Sequence, residues 1–304
     1  MKSSKIGGQA VLEGIMMKNE EKYSVAVRKS SGEIVVDVQD YHSVIPWETP
    51  LKIPFIRGIF NFVDSMVLGM KTLMYSANFF EEEEGEVLTK EEAEKQEKKD
   101  KIFMNLTVVL AVIIAAALFM VLPYVLSGLV ARHTQSRAVM TVFEGVIRLV
   151  IFLLYIFLIS RTEDIKRTFM YHGAEHKCIN CIENGLELNV ENVRRSSKQH
   201  KRCGTSFLFF VMIVSIIFCF FITAESQILR VLLRIALLPL IAGVSYEIIR
   251  LAGNSDHVLI NLLSKPGLWV QNMTTKEPDD SMIEVGIRAV EEVFDWRTWQ
   301  KENL

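Results

Sequence analysis

Three of the six histidines and three of the four cysteines in this chain fall within Tyr171–Gly204. The first stretch there reads YHGAEHKCINCIENG from Tyr171, and the second reads KQHKRCGTSF from Lys198. His172 and His176 stand four residues apart, so on a helix both imidazoles share one face and can grip one cation. Glu175 lies three residues after His172, close to that face. Cys178 and Cys181 form C-x-x-C, and His200 and Cys203 form H-x-x-C. Imidazole and thiolate are the donors zinc favours, so the implied cofactor is a divalent metal, zinc first.

The order H-x-x-E-H is the one in which inverted zinc peptidases carry their ligands, with the glutamate acting as general base on a water. Two wirings compete. Cys178, Cys181, His200 and Cys203 would close a structural site, because C-x-x-C, eighteen residues and H-x-x-C approach zinc-ribbon spacing. Alternatively, His172 and His176 join His200 or Cys203 and leave one position for water, which is what separates a catalytic zinc from a structural one. The bland alternative is that these histidines and lysines face anionic lipid head groups.

Other ionisable residues offer less. Glu247 stands near the inner end of an apolar run, where a charge is a functional candidate, with Arg250 or the connector's cations as its ordinary partner. Arg230 and Arg234 lie toward the other end of that run and can pair with Glu144. His42 and His133 have no ligating company. His257 fits a helix start, and Cys219 fits a small apolar filler.

Half of the 304 residues are hydrophobic, and they concentrate in four runs, Ile102–Leu126, Val142–Ser160, Phe207–Ala224 and Ile228–Ile249. About 20 apolar residues cross a bilayer core, so four transmembrane helices are predicted. The connector between the second and third runs holds Arg161, Lys166, Arg167, Lys177, Arg194, Arg195, Lys198, Lys201 and Arg202. The other two connectors are poor in basic residues, so the His/Cys connector and both termini are predicted cytoplasmic. The first residues do not read as a signal peptide, since Glu13 interrupts the apolar stretch. A net charge of −2 gives no pull toward nucleic acid.

The predicted fold class is therefore mostly α and polytopic, with an interfacial helix and a small N-terminal β element. Residues 1–53 hold the β element, with strands Tyr23–Lys29 and Glu33–Gln39 joined by Ser30-Ser31-Gly32. Gly7-Gly8 and Gly14 flank QAVLE, where the backbone can turn tightly or approach a ligand. Residues 54–78 carry Arg57, Asn61, Asp64, Lys71 and Tyr75 as a polar stripe on an apolar helix, which lies in the interface or, alternatively, makes a fifth span. Residues 79–101 are a charged linker. Residues 102–160 hold the first two spans, 161–206 the His/Cys loop, 207–250 the last two spans and 251–304 a helical tail.

Gly7–Gly14 (GGQAVLEG), YHGAEHK at 171–177, HKRCGTSF at 200–207 and QNMTTKEPDD at 271–280 together resemble the bacterial YqhQ family, over nearly the whole chain. The resemblance implies a multi-pass protein of the bacterial plasma membrane, described only as a predicted metal-dependent enzyme. His172, Glu175, His176, His200 and Cys203 match family positions. The family pattern does not require cysteine at 178, which shifts weight toward His172, His176, His200 and Cys203. Glu13 falls in a family motif without a role of its own.

The expected function is a cytoplasm-facing metal site, with Glu175 as general base or as a carboxylate orienting a ligand histidine, hydrolysing a lipid-linked or membrane-proximal substrate. Cys178, Cys181, Glu247 and Glu13 are additional candidates. The rivals are a scaffold or assembly factor stiffened by a structural metal, and a transporter. Four spans without an internal repeat are few for a secondary carrier.

Overall fold

The computed structural model describes residues 3–45, 52–81, 90–130, 136–222, 226–255 and 257–304. Its N-terminal part is a four-stranded antiparallel meander, β1 (Gly7–Val11), β2 (Gly14–Asn19), β3 (Lys22–Arg28) and β4 (Ile34–Asp40), paired in that order. The sequence disclosed only the last two strands. Glycines at positions 7, 8 and 14 hide β1 and β2, and their turn carries Leu12-Glu13, with Glu13 held at φ +46. The β3–β4 turn spans Lys29–Glu33, wider than the three residues expected, and is closed by Lys29 N–H on the Glu33 carbonyl at 2.9 Å.

Alternation along the strands gives the sheet two apolar faces. Ile15, Met17 and Ala26 face one core, while Val11, Met16, Tyr23, Val25 and Val27 face another. Helix α1 (Ile56–Glu81) covers the second face through Leu68. Gly69 there leaves room for the Gln9 amide, and Leu12 N–H donates to Ser76 Oγ at 3.1 Å. The first turns of α1 lie against another helix, α8 (Gln227–Asn254), through Arg57–Glu247 at 2.6 Å and Asn61 Nδ2 on the Tyr246 hydroxyl at 3.0 Å. Val63, Met66, Val67, Met70 and Met74 of α1 stay exposed.

Residues 82–89 of the charged linker lie outside the described residues. From Lys90 the chain is helical, as α2 (Lys90–Ala116), a π-turn (Ala117–Val121) and α3 (Leu122–Val130). Pro123 causes the π-turn: it has no N–H for the Phe119 carbonyl four residues back. Arg148 Nε donates to that carbonyl instead, at 3.0 Å. Arg148 belongs to α4 (Arg137–Ile159), whose Glu144 also receives Arg234 of α8 at 2.7 and 2.9 Å.

Among the described residues three helices, not four, are long and apolar enough to cross a membrane: Asn105–Gly128, Ala138–Ile159 and Leu229–Asn254. The run at Phe207–Ala224 becomes α7 (Gly204–Phe220), capped by Cys203 and only 17 residues long. At about 1.5 Å per residue it reaches about 25 Å, short of the roughly 30 Å hydrocarbon core. It packs with α4 through Phe209 against Phe152 and Ile156.

The connector at 161–206 is mainly helix, with α5 (Glu163–Glu183) and α6 (Val190–Arg195). Beyond α8 come α9 (Val258–Thr274), α10 (Asp280–Glu291) and α11 (Trp296–Asn303). His257 caps α9, its Nδ1 accepting Leu259 N–H at 3.3 Å. Tyr171, Ala174, Cys178 and Ile182 of α5 pack with Met282, Val285 and Ala289 of α10 on Ile15, Met17 and Ala26. The N-terminal sheet, the connector and the C-terminal helices thus share one core, so they form one polar body beside the apolar helices.

Candidate metal centre

Two elements present the ligating side chains. In the middle of α5, the four-residue spacing brings His172 and His176 together with ring centroids 4.4 Å apart. Cys203 is the N-cap of α7, its Sγ accepting Thr205 N–H at 3.4 Å. The sulfur lies 3.3 Å from His172 Nε2, and one ligand atom each from His172, His176 and Cys203 lie within 4.8 Å of one another.

Backbone carbonyls fix both imidazoles. His172 Nδ1 lies 3.0 Å from the Thr274 carbonyl, and His176 Nδ1 lies 2.7 Å from that of Lys198. A carbonyl only accepts, so each Nδ1 carries a proton and each Nε2 is the nitrogen available to a metal, the orientation seen around metal-ligating histidines.

The chain comes close to α5 in two places. A Cβ on Gly173 would lie 2.0 Å from the Lys276 carbonyl oxygen, so glycine is what lets residues 274–276 pass over the helix. Lys276 N–H bonds the Phe169 carbonyl there at 2.8 Å. A Cβ on Gly8 would lie 2.8 Å from Glu175 Cγ, so β1 runs directly beside that carboxylate.

Glu175 is buried, with Oε2 3.8 Å from His172 Nε2. Burial by itself would raise the Cys203 thiol, but the charges and hydrogen bonds of His172 and His176 outweigh it and hold Cys203 well below the usual thiol range. Burial likewise opposes charge on His172, yet the Cys203 thiolate, and after it Glu175 and the Thr274 carbonyl, lift its pKa to about 9. The two shifts run in the direction that favours an imidazolium–thiolate pair.

His200 also lines the cavity, its ring centroid 5.7 Å from that of His176. Its Nε2 lies 3.5 Å from Glu183 Oε2, outside the three-residue group. Burial, with Arg202 and His176 nearby, holds His200 below its usual pKa. Gln271 clamps its backbone, accepting His200 N–H at 2.9 Å and donating to the His200 carbonyl at 2.7 Å.

Cys178 and Cys181 point elsewhere. Burial pushes the Cys178 thiol well up, and Gly286 of α10 leaves it space. Burial raises Cys181 to about 11, and its thiol donates to the Glu187 carbonyl at 3.4 Å. Glu13 pairs with Arg167 and accepts the Tyr171 hydroxyl at 3.1 Å. Glu247 pairs with Arg57, with Arg250 a further 3.7 Å contact.

The sequence offered no sign of the Lys198 carbonyl or of Glu183 as the anchor for Arg202 and Ser4. Two signals were present for the rest: the Gly7-Gly8 pair, and the QNMTTKEPDD segment that supplies Gln271 and Thr274. Lys5, Gly7, Gly8, Glu175, Arg202 and Cys203 are among the walls of a cavity of about 210 Å³ over the His/Cys group.

Comparison with known proteins agrees with the resemblance drawn from the motifs. Residues 53–296 match the family described as "Protein of unknown function (DUF1385)". The chain is 35% identical to "Uncharacterized protein YqhQ" of Bacillus subtilis (strain 168), over 98% of this chain and 94% of that one. No solved structure matches it.

Proposed function

Because the chain belongs to the DUF1385 family of proteins of unknown function, we propose its activity from the site itself: a metal-dependent hydrolase working at a membrane surface. The observation that carries this reading is the convergence of His172, His176 and Cys203 within 4.8 Å, both histidines held through Nδ1 by carbonyls. This donor set suits zinc, and the 3.3 Å between His172 Nε2 and Cys203 Sγ is a spacing two ligands of one zinc adopt. Three ligands leave a coordination position open, as in catalytic sites.

Held by His172, His176 and Cys203, zinc would supply Lewis-acid polarisation and acidify a water. Glu175, buried beside His172, is placed to take a proton from the attacking water and pass it to the leaving group. The Thr274 and Lys198 carbonyls keep the imidazoles in register. His200 decides between enzyme and scaffold. As a fourth protein ligand it would close the site and make it structural; held by Glu183 and Gln271, it stays a wall of the cavity.

The membrane setting rests on three long apolar helices whose side chains, Val109, Ile113, Leu154 and Leu232 among them, are exposed. The basic connector supports a cytoplasmic position for the polar body in a bacterial plasma membrane. The sheet before the first long helix and the helices after the last share that body, so this reading, with both termini inside, takes the short apolar α7 as a fourth crossing through a locally thinned bilayer. The exposed apolar side of α1 supports a helix lying in the interface. Cys203, at the start of apolar α7, would then sit close to the bilayer surface, within reach of membrane-proximal substrates.

The test is metal per chain in purified protein. About one zinc is expected in the wild type and none in His172→Ala or Cys203→Ala. Wild type without metal, or variants that retain it, would end the reading. A second reading is carried by the Cys203–His172 contact at a helix N-terminus: a thiolate nucleophile activated by histidine. Hydrolysis that survives EDTA and is abolished by iodoacetamide would favour it.

A further inference from the structure

The substrate class follows from the edge of the sheet, and this step rests on the hydrolase reading above. β1 is an edge strand. Arg28 N–H bonds the Glu13 carbonyl at 2.9 Å, flanking the Gly14–Val27 pair, so Gly14 turns its own N–H and C=O away from β3 and toward Val11. By alternation Val11, Gln9 and Gly7 bond to β2, while Gly8 and Ala10 direct their N–H and C=O groups outward. Those outward groups have no protein partner among the described residues. Gly7 is exposed, with open space around it.

Natural sheets guard free edges with lysine, proline or a bulge, because an open edge templates pairing with another chain. The strand GGQAV has no charge and no proline. Gly8, whose N–H and C=O lie on this edge, turns its side-chain position toward Glu175 on the adjoining face, and Gly7 and Gly8 line the cavity over His172, His176 and Cys203. The unguarded edge therefore leads straight into the candidate site.

We propose that this edge is the substrate cradle, and that the substrate is an extended polypeptide segment added to the sheet beside β1. Main-chain donors and acceptors repeating every second residue are matched by another extended backbone. An acyl chain carries no such groups. The step is amide hydrolysis: water oxygen bonds the carbonyl carbon, the C–N bond breaks, and Glu175 carries a water proton to the departing amine. One water is consumed, its two protons end on the departing nitrogen, and a carboxylate and an ammonium group result.

The test uses the full chain in detergent micelles, carrying Glu175→Gln to prevent turnover, and dye-labelled β-casein as an unfolded polypeptide probe. Ala10→Pro deletes only an outward N–H and spares the ladder, as edge proline can; Ala10→Ser keeps that N–H. Expected are saturable casein binding, a Kd at least tenfold weaker with Ala10→Pro, an unchanged Kd with Ala10→Ser, and equal zinc content in all three. No casein binding, equal binding with Ala10→Pro, or saturable binding of a dye-labelled phospholipid in place of casein would overturn it. Zinc content reports on the metal and casein affinity on the edge, so the two readings fail separately.

Discussion

The Thr274 carbonyl, 102 positions after His172, accepts the hydrogen bond that fixes that histidine's tautomer at 3.0 Å. It reaches His172 because Gly173 has no side chain to obstruct the Lys276 carbonyl. Gly173→Ala places a methyl about where that oxygen sits, so residues 274–276 must lift off α5 and His172 loses its orienting partner. The expected outcome is a drop in zinc affinity of about 10- to 100-fold, the usual range for losing such a partner, read by competitive chelator titration. Unchanged affinity would show that the carbonyl does not position the ring.

Glu175→Gln removes the proton carrier while keeping the side chain's shape. Zinc content should stay at the wild-type level, and the hydrolysis rate should fall by about 10²- to 10⁴-fold, the span general-base catalysis contributes. Loss of zinc in this variant would reassign Glu175 to the ligand set.

Glu183 anchors the N-terminal arm and the His200 loop. Burial opposes its charge, but hydrogen bonds from His200, Arg202 and Ser4, with the Arg202 charge, hold its pKa at about 2 against an ordinary 4.5. A depressed carboxyl stabilises the fold above its unfolded pKa, and this support fades as pH falls from about 4.5 toward 2. The gap corresponds to about 3 kcal/mol at neutral pH. Melting temperatures in detergent should fall across pH 5 to 3 in the wild type and fall less in Glu183→Gln, which also starts lower.

Cys178 lies in the apolar core between α5 and α10, so Cys178→Ser buries a hydroxyl where no zinc ligand is needed. A loss of about 1–3 kcal/mol is expected from the unsatisfied group. Zinc content should not change, in contrast to Cys203→Ser, which should lose the metal.

Glu144 is the carboxylate between Arg148 and Arg234. Glu144→Ala leaves two guanidinium groups among apolar helices without their counter-charge, and removing one partner of a buried pair costs about 3–5 kcal/mol. The detergent melting temperature should fall sharply while zinc content per folded chain holds. A variant as stable as wild type would mean that lipid head groups or water meet those charges.

Much of the site could be read in the chain because local spacing is enough to place side chains on a helix. His172, Glu175 and His176 needed only the 3.6-residue period. Cys203 was reached from composition and the family motif, although the contact crosses 31 positions. Cys178 and Cys181 show the limit of spacing: C-x-x-C on α5 turns both thiols into the core, since α10 covers that side. The free edge of β1 was illegible, because glycine-rich strands carry little propensity and an edge exists only relative to the other strands. The apolar runs located the helices, but the number long enough to cross depended on α7, capped by Cys203, ending already at Phe220, a boundary hydropathy does not mark.

That cap joins two parts of different mechanical character. The imidazoles ride on a polar body braced by a sheet, and the sulfur rides on the first turn of a helix seated among apolar neighbours. Any slide or tilt of that helix against the body changes the sulfur-to-nitrogen distance directly, with no intervening linkage to absorb it. On the metal reading proposed above, bilayer thickness and lateral pressure would therefore act on the coordination geometry itself.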